Sequence, residues 1–350
     1  MALGSNHVTK TTQDKFIPEI WSDEIIGAFK SNLVVANLVT KISHSGKKGD
    51  TLNIPKGTRG AASLKAAQTQ VTLIADTEGD VNVSINKHYE YSRLIEDITA
   101  TQAIDSYRRF YTDDAGYSLA QQVDQDLQLL GASVNSGSIA GATNSYEKAV
   151  LGSDGSTNFS GAAGSGTGNG TALADVGIRK MVQTLDDNDV PMSERYFIIP
   201  PVEKNNLLGL SRFTEQAFTG ELSNGNSIRT GLVGDLYGIP VYVSTQCPWI
   251  HVNSQTSTQS VTFTASAPTA AAFVDELGHT VDWDTSSPTD TPFRAGMLLH
   301  KSAFVHVEQL SVRTQSQYKQ EWLGDLFTAD TLYGVGEMRD DAALAFVVPA

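Results

Sequence analysis

VNVSINKHYEYSRLIEDITATQAIDSYRRFYTDDAGYSLAQQVDQDLQLL, residues 81–130, joins a long alternating stretch to a long helical one. Val81, Val83, Ile85, Tyr89, Tyr91 and Ile95 fall on one face of an extended chain, and Asn82, Ser84, Asn86, His88 and Glu90 on the other. A period of two marks a half-buried strand. At Thr99 the period changes. Thr99-Ala-Thr-Gln102 has capping-box spacing, in which the hydroxyl accepts from a free backbone N–H and Gln102 reaches back. Ile104, Tyr107, Tyr111, Ala115, Leu119, Val123 and Leu127 then recur mostly every four residues, which predicts a helix over about 99–130. At ~1.5 Å per residue it would be roughly 40 Å or more long. A four-residue recurrence drifts by about 40° per step around a 3.6-residue helix, so its two ends need different partners. The spacing therefore predicts a spine spanning two lobes. Asp105 with Arg109, and Arg109 with Asp113, add i,i+4 pairs worth a few tenths of a kcal/mol each. Gly116 costs about 1 kcal/mol at such a position.

Upstream, Ile17, Ile20, Trp21, Ile25, Ile26, Phe29, Leu33 and Leu38 give residues 16–39 helical spacing, with Pro18 at an early position that tolerates it. A basic, turn-rich stretch from Ser43 to Gly49 leads into Asp50-Thr-Leu-Asn-Ile-Pro55, which alternates and stops at proline like a strand. Residues 56–69 are small and polar, Val71-Thr-Leu-Ile74 predicts a second strand, and a turn is expected over 76–80. With no wide apolar face, residues 1–75 are expected to bury little in their own subunit and to lie on something else. Charge divides along the chain in the same way. Residues 1–65 hold nine Lys/Arg against five Asp/Glu, and the remainder holds 16 against 34, within a net charge of −14. A basic arm thus precedes an acidic body, an asymmetry that steers copies of one chain onto each other. The chain as a whole has the wrong sign for phosphate recognition, so contact with DNA should be weak and non-specific.

Downstream, residues 131–172 are rich in Gly, Ser, Ala and Asn and read as a long loop. Leu173, Val176, Met181 and Leu185 predict a helix stopped by Asp186-Asp-Asn-Asp189. Arg195-Tyr-Phe-Ile-Ile199 reads as a buried strand, followed after Pro200-Pro201 by a short helix to Leu210. Further strands are expected at Ile239–Val243, within 250–260, at Val261–Ala265 and Ala270–Val274, over Met297–Val312, at Trp322–Phe327 and at Ala342–Val348. Helix and strand mix without βαβ regularity, so the class is α+β, as one composite domain or two lobes. No apolar run approaches the roughly 18 residues of a membrane span, and the MALGSNHVTK start lacks a secretory pattern. Cys247, the single cysteine, reads as a small buried hydrophobe, excludes an internal disulfide and fits a reducing cytoplasm.

Motifs for chemistry are missing. Gly46-Lys-Lys-Gly49 lacks P-loop spacing, the Gly164–Gly170 tract lacks the dinucleotide spacing and a preceding strand, and Gly-x-Ser-x-Gly and His-Glu-x-x-His do not occur. No catalytic residue, cofactor or metal is therefore expected. Asp275, Glu276, His279, Asp282 and Asp284 offer hard oxygen ligands, but their alternation with Val281 and Trp283 reads as a hairpin showing carboxylates to solvent. His300 and His306, six apart on one strand face, are too distant to ligate one ion directly.

In this order the elements resemble the tailed-bacteriophage major capsid proteins of the Hong Kong 97-type capsid fold, over most of the chain. Phe16-Ile-Pro-Glu-Ile-Trp21 is similar to the start of that family's N-terminal arm, and Gly49-Asp-Thr-Leu-Asn-Ile-Pro55 to the strand leading into its extended loop. Glu90–Ile98 with Ala103–Leu130 resembles the strand and spine helix of its peripheral domain. Asn188-Asp-Val-Pro191 with Arg195–Pro200, and Gly234–Ser244, resemble two axial-domain passages; Leu332-Tyr-Gly334 resembles a tyrosine-glycine turn before the last strand.

The resemblance implies an arm at 1–45, an extended loop at 46–80, a peripheral domain at 81–135 and 296–350 with its spine helix at about 99–130, and an axial domain at 136–295 that includes the Gly/Ser-rich loop; residues 249–293 have no clear counterpart in the family and read as an axial-domain or surface insertion. It implies a non-catalytic subunit that self-assembles into pentamers and hexamers of an icosahedral head around double-stranded DNA. Such a chain would be made in a bacterial host's cytoplasm and reside in the virion. Expected partners are other copies, a separate scaffolding protein (no fused scaffold precedes the arm), a portal and, as a guess, a decoration protein; no membrane is implied. Lys47, Lys48, Lys56, Arg59, Lys65, Trp21, Phe29, Arg108 and Arg109 are the candidates for contact between subunits. Covalent cross-linking in some relatives needs a Lys in the extended loop and an Asn near the chain end; Lys56 and Lys65 qualify, but no Asn follows Asn253. Two rival readings stay open: a carbohydrate-binding or adhesin-like module, suggested by Thr/Ser/Asn-rich strands with Trp249 and Trp283, and a metal-dependent hydrolase built on Asp275–Asp284.

Overall fold

The computed structural model describes residues 33–44, 48–57, 60–71, 73, 79–97, 106–132, 134, 150–157, 159, 170–210, 234–252, 261–266 and 293–350. In chain order these form β1 (Thr40–Ser43), β2 (Thr51–Lys56), β3 (Gly79–Ser84), β4 (Lys87–Glu96), α1 (Ser106–Leu129), β5 (Val150–Leu151), α2 (Asp175–Asp187), β6 (Arg195–Ile199), α3 (Pro201–Leu208), β7 (Asp235–Leu236) and β8 (Ile239–Val243). There follow β9 (Trp249–Val252), β10 (Val261–Thr264), β11 (Phe293–His300), β12 (Phe304–Lys319), β13 (Gly324–Glu337) and β14 (Ala343–Pro349). Two sheets and one separate hairpin result: a four-stranded sheet β1-β12-β13-β4, an eight-stranded sheet centred on β11, and β2-β3. The class is α+β.

The larger sheet holds the main core. Phe197, Ile198 and Ile199 on β6, and every residue of β14 from Ala343 to Val348, are buried, so these strands are apolar runs covered on both faces and do not alternate. Phe197 stacks on Phe346 at 5.4 Å between ring centroids. Helix α2 lays Ile178, Met181 and Leu185 against this core, whereas Val176, expected inward, is exposed. After α2 the chain reverses under Arg195, a buried guanidinium that donates to the Val190 carbonyl at 2.5 Å and the Pro191 carbonyl at 2.9 Å and pairs with Asp186 at 2.7 Å. Three acceptors for one buried cation explain why an arginine opens this strand.

Helix α1 joins the two sheets. At its middle, Ala115 and Leu119 pack with Ala329, Tyr89, Tyr91 and Phe327 of the smaller sheet. Toward its end, Leu127 is part of the main core, with Val123, Leu129 and Leu130 packed against it. Gln128 donates to Ser244 Oγ at 3.1 Å and Gln125 to Gln246 Oε1 at 2.8 Å, tying that end to the β8–β9 turn. Its 24 residues make it about 36 Å long. The 40° drift of the apolar stripe thus has a physical outcome, one face passed from one sheet to the other. The expected start at 99–105 lies outside the described residues, as does the side chain of Tyr107.

Several expectations need correction. The alternation over 81–95 is two strands, parted at Ile85-Asn86, with its faces as read: Val83 and Ile85 buried, Asn82, Ser84, Asn86, His88 and Glu90 exposed. Val71 and Leu73 form no strand; the partner of β2 is β3. Met297–Val312 is two strands separated by Lys301-Ser-Ala303, which puts His300 and His306 on different strands. Leu332-Tyr-Gly334 is no turn but mid-strand in β13. The boundary expected at 295/296 cuts a sheet, since β11 and β14 belong with β6 and β8. Trp249–Val252 and Val261–Thr264, expected in an insertion, are strands of that same sheet. Residues 1–75 do not stay off the body throughout: Val34, Val35, Leu38 and Val39 are buried in the main core around a 3-10 turn, and β1 pairs in parallel with β12. Of the helix expected over 16–39, residues 16–32 lie outside the described residues and 33–39 hold only the 3-10 turn Val35–Asn37; the segment Ala270–Val274, the acidic run Asp275–Asp284 and most of 131–172 also lie outside them.

Candidate assembly surface

Beyond β1 the chain leaves the body on a hairpin. Its strands β2 and β3 pair only with each other, from Thr51↔Ser84 to Lys56↔Gly79. The alternation of Leu52 and Ile54 with Val81 and Val83 gives the hairpin one apolar face, which packs with Ile85, Ile42, Val305, Val307, Leu332 and Met338. Val83 and Ile85 are the buried anchors. The junction with β4 crosses β13 closely. A Cβ on Gly334 would stand 2.5 Å from the Ser84 carbonyl oxygen, and one on Gly336 would stand 3.0 Å from Val83 Cγ2. Neither glycine has positive φ. Both serve close approach, a role that the sequence reading of Tyr333-Gly334 as a turn missed; a Gly-x-Gly repeat inside an apolar strand was the available signal. The Ile85 amide donates to the Asp50 carbonyl at 2.7 Å and Gln309 Nε2 to the Gly49 carbonyl at 3.0 Å, which fixes the root of the hairpin.

Past that root, every described residue from Pro55 to Leu73 is exposed. Leu64 is fully exposed and Leu73 is 88% exposed, with Val71 at 62%. Covering each of these side chains is worth about 1.5–3 kcal/mol. A turn at Ala66–Thr69, in which Thr69 Oγ1 donates to the Ala66 carbonyl at 2.7 Å, gives the loop local shape. The arrangement is a rigidly rooted, outward loop whose apolar side chains face away from their own subunit.

Of the residues expected at contacts, Lys48, Lys56 and Lys65 are exposed at the root, the end of β2 and the loop. Arg108 and Arg109 lie in the first turn of α1, their side chains outside the described set; Lys47, Arg59, Trp21 and Phe29 also lie outside it. Three of the nine are thus exposed along the hairpin and its loop.

Where the hairpin root, α1 and β13 meet, charge is held inside. Tyr333 donates from its hydroxyl to Asp126 Oδ2 at 2.6 Å, and Lys87 Nζ lies 3.2 Å from the same oxygen. Burial, then the Asp126 carboxylate, hold the Tyr333 phenol well above its ordinary value, so it remains a donor. Asp124, two residues earlier on α1, accepts from the Ala36 amide at 3.1 Å and from Gln128 at 2.8 Å, fastening the segment ahead of β1 to α1. Burial raises the Asp124 carboxyl, against these hydrogen bonds. On the sheet's other face Arg313 holds Asp330 through two bonds of 2.7 and 2.9 Å, with His88 Nε2 3.2 Å from it. The hydrogen bonds from Arg313 keep the Asp330 carboxyl below the usual range.

Nothing described forms a catalytic constellation. Among the described residues no group of three or more His, Cys, Asp or Glu is placed to hold a metal ion. The His306 ring lies tilted at 45° to Tyr333 with 5.5 Å between centroids, and His300 Nδ1 lies 2.7 Å from Ser302 Oγ; both read as structural. Trp249, an aromatic on which the carbohydrate reading leaned, is half-buried under the Arg294 guanidinium at 4.1 Å, and Arg294 donates to the Thr245 and Cys247 carbonyls.

No family model matches the sequence, and no curated protein sequence matches it. Solved structures do match in shape. One from Mycobacterium phage Che8 has a TM-score of 0.62 at 20% identity, covering 95% of this chain and 97% of that one. The capsid structure of the cyanophage P-SCSP1u gives 0.63 at 18% identity over 99% and 96%. The mature capsid of bacteriophage PhiM1 gives 0.63 at 15% identity over 95% and 92%. Taken with the spine helix and the outward hairpin, these likenesses over nearly the whole length establish that the chain has the fold of phage capsid proteins.

Proposed function

We propose that this chain is the major subunit of a phage head, assembling into pentamers and hexamers that close an icosahedral shell around double-stranded DNA. The observation that carries this reading is the loop on β2-β3: its root is fixed by buried Val83 and Ile85, while Leu64, Val71 and Leu73 find no cover on their own subunit. An anchored loop with apolar side chains turned outward is made to be buried by a neighbour. The fold shared with phage capsid structures supports the same conclusion. In this arrangement the role is structural. Lys48, Lys56 and Lys65 meet acidic surface of adjacent copies, and contact with packaged DNA is weak because the body is acidic. The larger sheet, with α2 and α3, forms the axial part; the smaller sheet and α1 form the peripheral part. The subunit is made in the host cytoplasm and ends in the virion, with a separate scaffolding protein, a portal and a decoration protein as partners of assembly.

Size-exclusion chromatography and negative-stain imaging of the purified full chain test this directly. Rings or closed particles are expected. A protein that stays monomeric with and without scaffolding protein overturns the proposal.

A further inference from the structure

Strand β12 is 16 residues long, yet β1 covers it only from Val305 to Glu308. From Ser311 to Tyr318 every residue is exposed, and among the described residues no strand pairs with that edge. A free edge is a template for another strand, and proteins normally guard it with charges. The opposite edge of the same sheet is guarded in that manner: β4 carries Lys87, Glu90, Arg93 and Glu96. On β12, residues 311–318 carry one charge, Arg313, and it is already held by Asp330. The ladder with β13 is regular from Arg313 to Lys319, so the edge is straight over most of its bare length, with Ser311 and Val312 in the irregularity between Leu310 and Arg313.

We infer that this edge pairs antiparallel with the same edge of a second copy, about a two-fold axis at Gln315, continuing the four-stranded sheet into the neighbour's. The sequence is self-complementary in that register. Gln315 meets its own copy, Thr314 meets Ser316, Arg313 meets Gln317, and Val312 meets Tyr318, two apolar side chains that are 51% and 45% exposed in the single chain. Cross-strand pairs of these kinds stabilise a sheet, and like charges directly opposed destabilise it. Registers centred on Arg313 or Ser316 oppose two cations; this one opposes none. An isologous contact of this type adds main-chain hydrogen bonds at no cost in new side chains. The inference goes beyond the shell reading and stands independently of it.

Single cysteines test it in the full chain. Gln315→Cys places two thiols directly opposite each other, within the Cα spacing a disulfide accepts. Gln317→Cys leaves them about 14 Å apart. Met192→Cys, at a residue 75% exposed elsewhere, measures random collision. The native Cys247 does not compete, because burial pushes its thiol up to about 12. After mild oxidation, a non-reducing gel should show several-fold more dimer from Gln315→Cys than from either other variant. Equal yields from all three, or the highest yield from Gln317→Cys, overturn the inference. Imaging the same samples separates the two proposals. Closed particles without the Gln315→Cys cross-link reject the edge pairing alone, and cross-linked dimers that never form particles reject the shell alone.

Discussion

Gly334 occupies ordinary strand backbone, so glycine is needed there for what it lacks. A Cβ would stand 2.5 Å from the Ser84 carbonyl and 3.1 Å from Ile85 Cα, both backbone atoms that cannot swing aside. Gly334→Ala should therefore cost about 1–3 kcal/mol through displaced backbone. Gly336→Ala should cost less, because its Cβ would stand 3.0 Å from a Val83 side-chain methyl, a contact relieved by a shift of a few tenths of an ångström, and not 2.5 Å from backbone. Denaturant midpoints of the two variants check this, and equal midpoints would count against the crossing as described. The same residue shows a limit of reading sequence. The family resemblance placed a turn there, and nothing local distinguishes a glycine that bends a strand from one that lets another strand pass. Arg195 illustrates the opposite case. Its place at the head of an apolar strand was visible, but its three acceptors come from a turn that folds back from Asp186 to Pro191, a geometry with no periodic trace.

At the scale of elements, legibility followed burial. Arg195–Ile199 and Ile239–Val243 occupy the strands expected of them, and α1 ends within one residue of its expected end at Leu130, because a continuous apolar run or a drifting stripe records which faces are covered. Val71-Thr-Leu-Ile74 alternates equally well, yet its described members stand in solvent, since alternation needs a partner strand to become structure. The turn at Lys301–Ala303 was hidden by buried residues on both sides of it: Leu298, Leu299 and His300 before, Phe304 and Val305 after. The contact lysines were half legible: charge division pointed to the region, but only the structure separates the loop, which leaves the body, from Val34–Val39, which do not. This difference makes the loop separable in experiment. Deleting Gly57–Thr69 removes a span whose described residues are all exposed, among them Leu64, and leaves Val83, Ile85 and the β2-β3 root in place. The expected subunit melts within a degree or two of the parent but forms no particles, or particles that come apart at lower denaturant. Shells of normal number and stability from this variant would show that the loop does not tie copies together.

For the whole molecule, strength must come from repetition. Among the described residues of the loop no single exposed group is a strong anchor: three apolar side chains are worth about 1.5–3 kcal/mol each, and exposed lysine pairs contribute about 0–1 kcal/mol. In the proposed shell, such contacts multiplied around a closed surface would hold a particle in which no one copy can leave without breaking several at once. A covalent route would need an amine in the loop and a carboxamide brought to it. Lys56 and Lys65 provide exposed amines, but no Asn follows Asn253, and the C-terminal strand ends buried in the larger sheet with Phe346, Val347 and Val348 inside. The carboxamides of the described C-terminal region are glutamines on β12 and beside it, among them Gln315 and Gln317 on the bare edge, where a second β12, and not a lysine-bearing loop, is the inferred neighbour. Particles boiled in denaturing detergent under reducing conditions should therefore release one species of 37.5 kDa. A ladder of dimers, trimers and larger rings on the same gel would require a cross-link between an amine and some other side chain, and would replace repetition with covalent closure as the source of the shell's stability.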